Sequence, residues 1–156
     1  MKVLLVEDDE NKRTEVARFV KSLAPGVVVS EGKSYQAAQR LLQSDVFDRV
    51  ILDMTLPTFD ITRTDRGGRP QAYGGRDLLR LMKRRGIVTP TVVLTQFDRF
   101  GEGENLRTFE ELDQQLRREQ GPSYLGAVFY NVAEDTWRHQ LRAFILEGWR
   151  EEAEGQ

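Results

Sequence analysis

Five short apolar runs constrain this chain more than any other feature. They lie at residues 2–6, 27–29, 50–52, 91–94 and 127–130. Each is too short for a buried helix and is rich in valine, leucine or aromatic residues, so each reads as a buried strand. Between and after them, apolar residues recur at three- and four-residue spacing, the helical period. The sets are Val16, Phe19, Val20 and Leu23; Tyr35, Ala37, Ala38, Leu41 and Leu42; Leu78, Leu79, Leu81 and Met82; Leu106, Phe109, Leu112 and Leu116; and Trp137, Leu141, Phe144 and Ile145. Strands alternating with helices predict a parallel sheet covered on both faces, joined by right-handed crossovers.

The breaks between these segments are chemically specific. Pro25-Gly26 and Gly121-Pro122 end helices. Lys83, Arg84 and Arg85 complement the negative end of a helix dipole, and Gly86 caps it. One connection is unusual: residues 58–73 carry Asp60, Asp65, Gly67, Gly68 and Pro70 without periodicity, and are long for a strand-to-helix link. The expected organisation is one domain over 1–150 with an insertion at 58–73, followed by an acidic tail, 151–156. The expected fold is α/β, a flavodoxin-like doubly wound five-stranded parallel sheet of order 2-1-3-4-5 with five helices.

Composition narrows the chemistry. The 156 residues include no cysteine and a single histidine, His139, which excludes disulfides and thiolate metal sites and argues against a histidine-built zinc site or a histidine-dependent triad. A net charge of −2 gives no field favouring nucleic acid or an anionic membrane. No apolar run is long enough to span a bilayer, and the N-terminus lacks a signal-peptide pattern. These bounds predict a cytoplasmic protein whose chemistry rests on carboxylates and hydroxyls.

Those groups gather at strand ends. Glu7, Asp8 and Asp9 follow the first run, Asp53 the third and Thr95 the fourth. In open α/β sheets, ligands bind outside the carboxyl ends of the strands, and the predicted order brings Asp8, Asp9, Asp53 and Thr95 to one edge. Clustered carboxylates repel unless neutralised. A magnesium ion is the economical neutraliser, because it takes one or two carboxylates together with phosphate oxygens. A carboxylate can also act as a nucleophile toward phosphorus, giving an aspartyl phosphate. The blander alternative is that such acids cap turns and helices.

The ordered set Val3-Leu4-Leu5-Val6-Glu7-Asp8-Asp9, Asp53-Met54-Thr55-Leu56-Pro57, Gly75-Arg76-Asp77-Leu78-Leu79 and Pro90-Thr91-Val92-Val93-Leu94-Thr95 resembles the receiver domain of bacterial response regulators. The resemblance implies that Asp53 is a phosphoacceptor. It implies that Asp8, Asp9, Asp53 and the backbone carbonyl of Thr55 hold Mg2+, and that Thr95 supplies a switch hydroxyl. The phosphoryl donor would be a histidine kinase or phosphotransfer protein, and output would pass to a downstream protein. Receivers often pair through the last helix, which leaves a homodimer open. No enzymatic turnover is expected beyond self-phosphorylation and self-dephosphorylation.

The pattern breaks at one point. The family carries a lysine, usually followed by proline, at the end of the fifth strand, where its ammonium meets the phosphoryl group. Here no lysine follows Lys83, and Asn131 or Ala133 falls in its place. Loss of such a charge-assisted hydrogen bond is worth about 1.5–3 kcal/mol. Arg99, in the loop after Thr95, is a candidate replacement. Two readings follow: a stand-alone receiver, since the chain has no room for a DNA-binding module after the last helix, or a pseudo-receiver working as a phosphorylation-independent interaction module. An aspartate-nucleophile phosphatase is disfavoured, because Thr55 stands where its second aspartate belongs.

Overall fold

The computed structural model describes residues 1–60 and 74–149. Most of the 58–73 insertion and all of the 151–156 tail lie outside the described residues.

A five-stranded parallel sheet forms the centre of the fold. Its strands are β1 (Lys2–Val6), β2 (Val28–Gly32), β3 (Arg49–Leu52), β4 (Thr91–Thr95) and, last in the chain, β7 (Tyr124–Phe129). Their spatial order is β2-β1-β3-β4-β7, with every neighbouring pair parallel. This is the predicted 2-1-3-4-5 order. The helices are α1 (Glu10–Lys21), α2 (Tyr35–Ser44), α3 (Gly74–Arg84), α4 (Phe109–Gln120) and α5 (Thr136–Leu146).

Side chains alternate across a strand, and the alternation separates two cores. Leu4, Val6, Val50, Leu52 and Val93 pack with Leu78, Leu79, Met82, Leu112 and Leu116 on one face. Val3, Leu5, Ile51, Val92, Leu94 and Val128 pack with Val16, Val20, Trp137, Leu141 and Ile145 on the other. The centre of the sheet is therefore dry on both sides, and polar chemistry is confined to its ends. At the amino end of β3, the buried Arg49 donates Nε to the Ile145 carbonyl at 3.1 Å and Nη2 to the Glu147 carbonyl at 2.5 Å.

Three local expectations change. The second strand sits later than residues 27–29, because Ser30 and Glu31 continue the ladder opposite Leu4 and Leu5. The last sheet strand begins at Tyr124 and ends at Phe129, earlier than the 127–130 apolar run suggests. The stretch after Thr95, expected to be only a loop, contains a two-stranded antiparallel hairpin of β5 (Arg99–Phe100) and β6 (Arg107–Thr108). Its anchor is Phe100, which is buried in the core. Thr108 then caps α4, with a reciprocal bond between Glu111 and the Thr108 backbone.

Candidate functional site

Three carboxylates meet at the carboxyl edge of the sheet. Glu7, Asp8 and Asp53 each offer an oxygen within 4.8 Å of the others. The sheet register explains the meeting. Val6 lies opposite Leu52 in the β1–β3 ladder, and the Asp53 N–H extends that ladder to the Val6 carbonyl at 3.0 Å. Leu52 in turn lies opposite Val93, so β4 ends at the same edge.

Asp53 is 3% exposed. Its Oδ1 accepts the Met54 N–H at 2.7 Å. Burial raises its pKa, opposed by Lys12 and by the Met54 N–H. Glu7 is 2% exposed. Burial, followed by the charge of Asp53, pushes its pKa up to about 8. Asp8 is exposed. The buried guanidinium of Arg13 holds this loop by donating Nη1 to the Glu7 and Asp8 carbonyls, each at 3.2 Å.

Glycine shapes the other wall. Helix α3 begins against the loop after β3, where the Gly75 N–H donates to the Met54 carbonyl at 2.7 Å. A Cβ at Gly75 would stand 2.4 Å from the Asp53 carbonyl oxygen and 2.8 Å from the Met54 Cα. No side chain fits there without moving the backbone that carries Asp53.

A fourth charge, missed in the sequence, completes the cluster. Lys12 is 3% exposed. Its Nζ lies 2.5 Å from Glu7 Oε2 and 3.6 Å from Asp53 Oδ2, and it donates to the Leu94 carbonyl at 2.8 Å. The Tyr130 ring lies 5.6 Å from the same Nζ. Lys12 belongs to the first turn of α1, and helical side chains lean toward their own N-terminus. A long side chain at that position therefore reaches back over the sheet edge. A sequence signal was present: the first turn of a helix favours acids, so a lysine there invites a search for a carboxylate partner.

Not every expected residue joins the cluster. Asp9 caps α1 by accepting the Lys12 backbone N–H at 2.8 Å, and it is exposed. Glu7, the residue directly after β1, stands with the carboxylates instead. Asn131, expected in the lysine's place, uses its Oδ1 to accept the Ala133 N–H at 3.0 Å in a local turn. Ala133 is exposed, and Arg99 is exposed on the hairpin. Thr95 is fully buried, with Oγ1 accepting the Phe97 N–H at 3.2 Å. Thr55 is half-buried in the loop after Asp53. Of the two aromatics near the end of β7, Tyr130 is buried beside Trp137 with its hydroxyl on Glu15. Phe129 is half-exposed and stands edge-on to Phe109. His139 is exposed.

An acidic pocket of hard oxygen donors with one fixed ammonium suits a divalent cation and an incoming anion. No protein-family model matches the chain. The chain is 28% identical over 149 residues to the Detocs response regulatory protein DtcB of Enterobacter cloacae, covering 94% of this chain and 99% of that protein. Among solved structures, it is similar to the signal receiver domain of an HD domain-containing protein from Pseudomonas fluorescens, with a TM-score of 0.65 at 16% identity, covering 98% of this chain and 97% of that one. It is also similar to the response regulator TrrA of Thermotoga maritima in complex with Mg2+-BeF, with a TM-score of 0.58 at 14% identity, covering 92% of this chain and 97% of that one.

Proposed function

Because the chain has the receiver-domain fold of response regulators, we propose that it accepts a phosphoryl group on Asp53 and passes the signal on through a protein-contact surface. The observation that carries this reading is the placement of Asp53: a buried carboxylate at the end of β3, grouped with Glu7 and Asp8 and facing a fixed ammonium.

In the proposed step, a carboxylate oxygen of Asp53 attacks the phosphorus of a phosphohistidine or a small phosphodonor. The new O–P bond forms as the donor's P–N or P–O bond breaks, and the leaving group takes a proton from water. Glu7, Asp8 and Asp53 would hold magnesium, with the Thr55 carbonyl as a further oxygen donor; the bound ion supplies positive charge against the phosphoryl oxygens. The Thr95 hydroxyl would exchange its bond to the Phe97 N–H for a phosphoryl oxygen. The donor is a histidine kinase or phosphotransfer protein, the setting is the cytoplasm, and the chemistry is that of a phosphoacceptor rather than a turnover enzyme. No helix among the described residues is long and apolar enough to cross a membrane.

Incubation with magnesium and a small phosphodonor tests the proposal. Acid-labile phosphate should appear on the wild-type chain and be absent from Asp53→Ala. Failure of the wild type to incorporate it, or equal incorporation by the variant, would overturn phosphotransfer and leave the fold as a phosphorylation-independent interaction module.

A further inference from the structure

Lys12 is tied to the site more closely than charge balance requires. An ammonium has three protons to donate. One goes to the Leu94 carbonyl at 2.8 Å and one to Glu7 Oε2 at 2.5 Å. Asp53 Oδ2, at 3.6 Å, is outside hydrogen-bond reach. Beyond these two partners the ammonium next meets the Asp53 carboxylate, across a gap, and the Tyr130 ring at 5.6 Å.

The anchoring is equally specific. The Leu94 carbonyl that fixes the ammonium belongs to the residue before Thr95, on the strand next to β3. At the other end of the side chain, the Lys12 backbone N–H is fixed by the Asp9 cap. A lysine held at both ends gives up little further freedom on meeting a ligand. Tyr130, the residue after the neighbouring strand β7, is buried with its ring 5.6 Å from the same Nζ.

We propose that Lys12, reaching the site from helix α1, is the residue whose ammonium contacts the phosphoryl group on Asp53. It bridges Glu7 while Asp53 is bare. On phosphorylation it turns its free proton, and then the proton shared with Glu7, toward a phosphoryl oxygen. Glu7 is thereby released to face the metal. The step moves no covalent bond; it exchanges one charge-assisted hydrogen bond for another. The inference rests on Asp53 being the acceptor.

The test uses the full chain with magnesium and beryllofluoride as the phosphoryl mimic. Lys12→Met, close in length but uncharged, should keep the wild-type circular dichroism spectrum and bind magnesium as well as or better than the wild type. It should bind beryllofluoride about tenfold more weakly or worse, the size expected for one lost charge-assisted hydrogen bond. Lys12→Arg, which keeps the charge, should recover part of that loss. In the wild type, the Lys12 side-chain 15N resonance should move when beryllofluoride follows magnesium. This measurement also decides the matter should Lys12→Met fail to fold. Unchanged beryllofluoride affinity in Lys12→Met, or a Lys12 resonance that stays fixed while those of Asp53 and Thr95 move, would overturn the role of Lys12 alone. A wild-type chain that takes up no beryllofluoride would overturn the phosphoacceptor reading and this inference with it.

Discussion

The carboxylates of the site come from the ends of β1 and β3, whereas its ammonium comes from the first turn of α1. A strand end is fixed by the ladder on either side, so its side chain has one place to be. A helix side chain is fixed by packing along the helix and reaches the site only through its length. The acids are thus placed by the sheet register, while the ammonium depends on the register of a whole helix. The difference also sets how each could be found. Chain order and apolar runs locate a strand end; only three-dimensional packing locates the tip of a lysine.

The largest effect after loss of Asp53 itself should come from the wall that holds it. Gly75→Ala places a Cβ 2.4 Å from the Asp53 carbonyl oxygen. Overpacking of this kind costs about 1–3 kcal/mol, against about 1 kcal/mol that alanine gains over glycine in a helix. A lower midpoint in urea, together with reduced labelling of Asp53, is expected. A variant as stable and as readily labelled as the wild type would show that the acceptor backbone is less tightly fixed than the ammonium, reversing the comparison.

The buried acid and the buried ammonium can also be separated by pH. Glu7 titrates near 8 in the fold against an ordinary value of 4.5, chiefly because it is buried. The folded state then binds the proton more tightly than the unfolded state. Its stabilising contribution is complete below pH 4.5 and is lost as the pH rises through about 8. Without magnesium, the melting temperature should therefore fall between pH 5 and pH 8, and Glu7→Gln should flatten the fall. A wild-type profile that is flat or rising over that window would mean that Lys12 keeps Glu7 fully ionised.

The smallest effect is expected at Asn131. Its side chain serves a local turn, so Asn131→Ala should change stability by about 0.5 kcal/mol or less and leave beryllofluoride binding unchanged. A loss of beryllofluoride binding comparable to that in Lys12→Met would return the phosphoryl contact to the end of β7.

The sheet order and both helical layers were legible because β1, β3 and β4 each carry three or four consecutive apolar residues and each helix packs apolar residues against the sheet. The hairpin of β5 and β6 was not, because two-residue strands carry no period and their anchor is one phenylalanine, Phe100. Asp53 and Thr95 stand at the ends of their strands, where the apolar runs placed them. Glu7 was passed over in favour of Asp9, since three consecutive acids look alike in sequence and only the sheet register separates the buried one from the helix cap. Lys12 was passed over because a cation was sought on the last strand, where sequence resemblance placed it. Lys12 lies early in the chain, on a different element, and meets the carboxylates only through the fold.

Arg49 carries a practical lesson about trimming this protein. Its guanidinium is buried at the start of β3, and two of its bonds go to the carbonyls of Ile145 and Glu147. A chain cut ahead of residue 147 would take one carbonyl acceptor from that guanidinium and leave it those of Ile145 and Asp48, a loss of about 1.5–3 kcal/mol for one hydrogen bond to a charged group. A trimmed version of this domain should therefore run past the end of its last helix, to Glu147 or beyond.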